Sequence, residues 1–164
     1  MRRGFTLIEF VVVLSISAGI VAVVTPDIQV FYQNYQLRAF ATELKSYFSR
    51  VRSETVTRQK DLWLFFSPQD PYGTDEWRLS LVINSEMNSK ESELIYLQNK
   101  DIQMSSTWLQ VKLDGKTGRI LESGHLIFSY KASDGASLKL IMHNITGRVR
   151  TCSMDKPFYG YAEC

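Results

Sequence analysis

Residues 5–24 read FTLIEFVVVLSISAGIVAVV, twenty residues with a single charged side chain, Glu9. At a rise of about 1.5 Å per residue, a helix of that length spans about 30 Å, the hydrocarbon thickness of a bilayer. Two readings are open: a secretory signal peptide with Arg2 and Arg3 as its basic flank, or a retained membrane helix. The run exceeds the roughly 7–15 apolar residues of a signal peptide. It is also followed by Pro26 and an amphipathic stretch in place of a turn-rich start, which favours the retained helix. Glu9 is the anomaly. A carboxylate costs about 2.5–3.5 kcal/mol at the centre of a membrane helix and less towards the interface. No Lys or Arg follows within two turns to pair with it, so it either snorkels to the headgroups or finds a partner outside its own helix.

The other totals are those of an ordinary folded chain. Of 164 residues, 45% are hydrophobic and 22% charged, which suits one domain with a short appendage and excludes a disordered chain. Nineteen basic against seventeen acidic residues give no strong field over the whole molecule. Two histidines and two cysteines are too few for a typical zinc enzyme or a disulfide scaffold.

After Pro26 the pattern is helical. Ile28, Phe31, Tyr32, Tyr35, Phe40, Leu44, Tyr47, Phe48 and Val51 recur mostly three or four residues apart, with Arg38, Glu43, Lys45, Arg50, Arg52 and Glu54 opposite. The spacing predicts a continuation of the helix to residue 58, with Pro26 as a kink and the apolar stripe as the face on which a sheet packs. Beyond residue 58 the period changes to two. Strands are expected over 62–66, 77–83, 94–97, 108–113, 126–130, 138–142 and 148–152, separated by turn signals such as Asp114-Gly115, Asp134-Gly135 and Thr146-Gly147. The expected fold is α+β: a long N-terminal helix (residues 5–58, with 5–24 in the membrane) packed on an antiparallel β-sheet domain of about seven strands (59–164).

Catalysis has little to stand on. His125 and His143 fall at strand ends with no Cys, Asp or Glu at metal-ligand spacing. Asn144-Ile145-Thr146 reads as a turn rather than a glycan acceptor, and there is no nucleophile elbow, phosphate loop or recognisable carboxylate pair. No enzyme activity, metal or cofactor is expected. With Arg2 and Arg3 on the cytoplasmic side, the rest of the chain lies outside, where disulfides persist. Cys152 and Cys164 are then either a bridge tying down the C-terminal tail, with about 3 kcal/mol of loop-closure stabilisation, or two free thiols. In a strand Arg148 and Arg150 project to one face with Val149 on the other, some 7 Å apart, a spacing that suits phosphates along a nucleic-acid strand as well as a merely solvated face. Lys112, Lys116 and Arg119 flank a turn and are candidates to extend that patch.

Arg2-Arg3-Gly4 followed by Phe5-Thr6-Leu7-Ile8-Glu9 resembles the leader junction of type IV pilins and type II secretion pseudopilins. The resemblance implies cleavage after Gly4 by a prepilin peptidase, methylation of Phe5 and pairing of Glu9 with the N-terminal amine of a neighbouring subunit. It also implies a helix-kinking role for Pro26. The leader, residues 1–4, is short for the family. Its removal takes two of the 19 basic residues and leaves 17 against 17 acidic ones. The strand pattern and C-terminal segment are similar to the GspH/FimT branch, in which a C-terminal disulfide loop also occurs. Gly147-Arg148-Val149-Arg150 resembles the GRxR segment implicated there in DNA binding during natural transformation. The implied function is a non-catalytic minor pilin in the bacterial inner membrane, its globular part in the periplasm and then on a filament or its tip. Other pilin subunits, the peptidase, membrane lipid and DNA are its implied partners. The alternative is a minor pseudopilin of a type II secretion system with no DNA role.

Overall fold

The computed structural model describes residues 6–69, 76–84, 93–131 and 136–164, without the side chains of 23–27. Gly4, Phe5 and the Asp134-Gly135 turn lie outside the described residues, as do the side chain of Pro26 and the kink expected of it. The chain forms two compact units, Met1–Tyr35 and Gln36–Cys164.

One helix, α1 (Leu7–Arg58), enters both units. Its start is set by Thr6, whose Oγ1 accepts from the Glu9 backbone N–H at 3.4 Å and donates to the Glu9 carboxylate at 3.5 Å. Thr6 thus acts as the N-cap, and Glu9 places an acidic side chain in the first turn, where the helix dipole favours one. Ser15 and Ser17 donate to the carbonyls of Val11 and Val13, both at 2.8 Å, so these hydroxyls need no partner outside the helix. The helix ends where Gln59 takes a left-handed conformation (φ 52°).

In the second unit the buried face of α1 is Leu37, Phe40, Ala41, Leu44, Tyr47, Phe48, Val51 and Thr55, the expected helical spacing. The earlier part of the expected stripe is different. Ile28, Phe31, Tyr32 and Tyr35 are exposed, Phe31 by 63%, and the buried positions of the stripe begin at Leu37.

Among the described residues eight strands build the rest, one more than expected, in two antiparallel four-stranded sheets. They are β1 (Leu62–Ser67), β2 (Arg78–Val82), β3 (Glu93–Leu97), β4 (Ile102–Ser106), β5 (Gln110–Leu113), β6 (Gly124–Tyr130), β7 (Ser137–Met142) and β8 (Val149–Ser153). The first sheet runs β3-β2-β1-β5 and the second β4-β6-β7-β8. β4 escapes a pattern search because Ile102 and Met104 are its only apolar residues. Trp108 and Leu109 precede β5 instead of opening it, and Arg148 precedes β8.

Phe40 joins the layers, meeting Trp77 edge-on at 5.7 Å and Phe128 of β6 at 5.4 Å. Trp77 Nε1 donates to the Ile102 carbonyl at 2.7 Å, tying the start of β2 to β4. Tyr47 donates its hydroxyl to the Leu79 carbonyl at 3.2 Å. Burial, with the Glu93 charge adding to it, pushes that phenol far above its ordinary range, so it stays a donor at any physiological pH. On the first sheet, Arg78 and Glu93 form a bidentate pair at 3.0 and 2.8 Å, with side chains 6% and 5% exposed and the guanidinium 3.9 Å from the Tyr96 ring centre.

Candidate functional site

Two turns of the same design lie side by side at one end of the globular unit. Asp114 N–H bonds the Arg119 carbonyl at 2.9 Å while Gly118 N–H bonds the Asp114 carbonyl at 2.7 Å. His143 N–H bonds the Arg148 carbonyl at 3.1 Å while Gly147 N–H bonds the His143 carbonyl at 2.9 Å. Both contain Thr-Gly-Arg followed by a β-branched residue, 117–120 and 146–149. Gly118 (φ 64°) and Gly147 (φ 63°) are left-handed, the conformation that closes each loop and that side-chain-bearing residues resist. The threonine hydroxyls accept from the Arg119 and Arg148 backbone N–H groups at 3.4 and 3.3 Å. Each turn therefore delivers an arginine directly after a left-handed glycine. Reading for longer repeats passes over this four-residue one, although Thr-Gly-Arg written twice, 29 residues apart, is its visible signal.

The turns are joined by Arg119, whose Nη1 donates to the Ile145 carbonyl at 2.7 Å and whose Nε reaches Thr117 Oγ1 at 3.2 Å. Of the three cations proposed from sequence to extend the patch, Arg119 is brought against the 144–147 turn. Lys112 instead pairs with Asp61 at 2.7 Å, over the Trp63 ring. That hydrogen bond from Lys112, followed by one from the Gly115 N–H, holds Asp61 below the usual carboxylate range. The Thr117 hydroxyl does the same for Asp114.

Arg148 and Arg150 are both exposed, with Val149 between them packed against the core, so the alternation expected of the segment holds. β8 is an edge strand, paired with β7 through Met142↔Val149, Ile141↔Arg150 and Lys139↔Cys152. Beyond it the C-terminal tail is fastened by the Cys152–Cys164 disulfide and by hydrogen bonds at Ser153: its N–H to the Ala162 carbonyl and its carbonyl from the Cys164 N–H, both at 2.9 Å. The bridge reading of the two cysteines therefore stands, and neither is free.

Between α1, β8 and the tail runs an open groove of about 340 Å³, lined by Thr42, Lys45, residues 148–151 and Tyr161. Beside it, under the two turns, a second cavity of about 30 Å³ has room for little more than a water. Among the described residues, Lys45, Arg148 and Arg150 have no carboxylate partner, so the groove carries three cations without counter-charge. His125 sits on β6 and His143 just after β7; burial, with the Lys139 charge adding to it, holds His125 below its ordinary pKa. Among the described residues no three His, Cys, Asp or Glu side chains converge to hold a metal.

At the other end of the chain, Glu9 is exposed, and among the described residues its carboxylate takes only the long bond from Thr6. The helix around it is apolar on all sides: Leu7, Ile8, Phe10, Val11, Leu14, Ile16, Ile20 and Val21 are all exposed, Leu7 by 84%. Among the described residues no helix is long and apolar enough to cross a membrane. The described side chains of this part stop at residue 22, short of the end of the 5–24 run.

The long helix packed on a two-sheet antiparallel domain is a fold that this chain shares with solved type IV minor pilins. Among the solved structures similar to it are two crystal forms of the type IV minor pilin FimU of Pseudomonas aeruginosa strain PAO1. They superpose with TM-scores of 0.54 and 0.57 at 14% identity, over 74% and 79% of this chain and 99% of FimU in each case. No protein-family model matches the chain, and no curated protein is similar to it in sequence.

Proposed function

We propose that the chain is a non-catalytic minor subunit of a type IV pilus, or of the related type II secretion filament, anchored in the bacterial inner membrane by residues 5–24 until it assembles. Cleavage after Gly4 leaves Phe5 as the methylated first residue, and the apolar helix exchanges lipid for the helices of neighbouring subunits. The observation that carries this reading is the all-round apolar surface of 7–22 together with the exposed band Ile28, Phe31, Tyr32 and Tyr35. Apolar surface on that scale is covered by lipid or protein in any aqueous setting. The internally bonded hydroxyls of Ser15 and Ser17 suit either cover. Glu9 keeps acceptor capacity for the N-terminal amine of the next subunit, and the minor pilin fold agrees with such a role.

The second part of the proposal assigns Arg148 and Arg150 to DNA. Two exposed, unpaired guanidiniums on an edge strand suit phosphate contacts and carry no base-reading chemistry. Two to four such contacts give a log–log salt slope of only about −2 to −4, so binding is weak, not sequence-specific, and dependent on several copies acting together. Two experiments test the parts separately. Replacing the gene with a Glu9→Ala version should abolish filament incorporation while leaving the chain folded in the membrane, and normal incorporation would overturn the assembly reading. The full chain in detergent should retard duplex DNA at low salt, and Arg148→Gln with Arg150→Gln should abolish the shift. Unchanged retardation by the variant would overturn the assignment to Arg148 and Arg150, and no retardation by the wild type would leave a filament subunit with no DNA role.

A further inference from the structure

The groove beside β8 has a composition that two surface arginines alone do not explain. One wall is α1, with Lys45 and Thr42; the floor is the edge of β8; the other wall is the disulfide-fastened tail, with the half-buried ring of Tyr161. The outward hydrogen bonds of Ser153 to the tail fix the direction of the edge, and the two-residue period of the strand turns the N–H groups of Val149 and Thr151 the same way. The groove therefore combines a lysine on one wall, two arginines and backbone donors along its floor, and an aromatic face on the other wall. A cationic track for phosphates with an aromatic platform for a base is the chemistry that holds single-stranded nucleic acid. The size agrees. About 340 Å³ is the scale of a small-ligand site and takes a nucleotide or two of one strand, whereas a duplex can only lie across the mouth.

We propose that this groove binds a single nucleic-acid strand, with Lys45, Arg148 and Arg150 on its phosphates and the Tyr161 ring stacked on a base. The inference rests on the DNA-binding reading above and adds Lys45 and Tyr161 to it. It also gives the Cys152–Cys164 bridge a part in binding, because the bridge holds the wall that carries Tyr161.

The test is fluorescence anisotropy of the full chain in detergent with a labelled oligothymidylate and with a duplex of equal length, at several salt concentrations. The single strand should bind more tightly than the duplex. Tyr161→Ala should weaken the single strand about tenfold and leave the duplex unchanged, with Tyr161→Phe close to wild type. Lys45→Gln should lower the salt slope for the single strand by about one. If Arg148→Gln with Arg150→Gln abolishes binding while Tyr161→Ala changes nothing, or if the duplex binds at least as tightly, the groove proposal is wrong and the DNA reading stands. If the double arginine variant binds both nucleic acids like wild type, both are wrong.

Discussion

The Arg119 guanidinium donates to the Ile145 carbonyl at 2.7 Å, so the arginine of the first Thr-Gly-Arg turn holds the backbone of the second. The turn that carries Arg148 is therefore braced from outside its own hairpin. Arg119→Ala should cost under about 1 kcal/mol in urea denaturation, since the contact is exposed, yet weaken DNA retardation measurably by loosening the 144–147 loop. Wild-type retardation in that variant would show that the bracing has no bearing on binding.

The paired glycines give a comparison with an expected order. Both are left-handed, so alanine at either costs about 1–2 kcal/mol in backbone strain. A Cβ on Gly147 meets only the flexible Arg119 side chain, at 3.0 Å, whereas one on Gly118 lies 2.6 Å from Arg52 Cγ and 2.9 Å from the Arg52 carbonyl of α1. Gly118→Ala should therefore destabilise more than Gly147→Ala by at least about 1 kcal/mol, measured as the difference in denaturation midpoints.

Two ion pairs should differ sharply in cost when broken. Removing the carboxylate of the buried Arg78–Glu93 pair, as in Glu93→Ala, leaves a buried guanidinium without its bidentate carboxylate and should cost about 3–5 kcal/mol. Lys112→Ala, which breaks the exposed pair with Asp61, should cost less than about 1 kcal/mol. Equal losses in thermal unfolding would contradict this account of the first sheet.

Acid should act in two stages. His125 is held below its ordinary value of 6.5, so the fold favours the neutral ring. As pH falls through 6.5 the unfolded chain takes up a proton that the folded chain resists, and stability drops. Asp61 and Asp114 are held below the usual carboxylate range. Their contribution is present above the ordinary carboxylate value and is lost as pH falls through the depressed folded values. The melting temperature should be flat around neutrality, decline from about pH 6.5 and decline further below about pH 4. His125→Gln should remove the first stage alone.

Much of this was legible in the residues because it depends on local period. The helix end near residue 58, seven of the eight strands and the alternation at 148–150 are all set by which face of an element meets the core. What was not legible depends on distance. Nothing local to Phe31 or Tyr35 says that burial along the stripe begins only at Leu37, so the aromatic stripe reads as continuous core. β4 holds its place through β6 and the Trp77 bond to Ile102, not through its own two apolar side chains. Arg119 comes to the 144–147 turn through a hairpin packing 26 residues away, and Lys45 reaches the groove only once α1 lies beside β8. The N-cap at Thr6 was readable but is hidden behind the more conspicuous oddity of an acid in an apolar run.

The central claim is that residues 5–24 begin the mature chain and stay attached to it. Intact-mass spectrometry of the protein recovered from the membranes of cells containing a prepilin peptidase reads this directly. The account predicts a mass that starts at Phe5 with one added methyl group and two hydrogens lost to the disulfide. A mass that retains residues 1–4, or one that has lost the apolar run altogether, would contradict it.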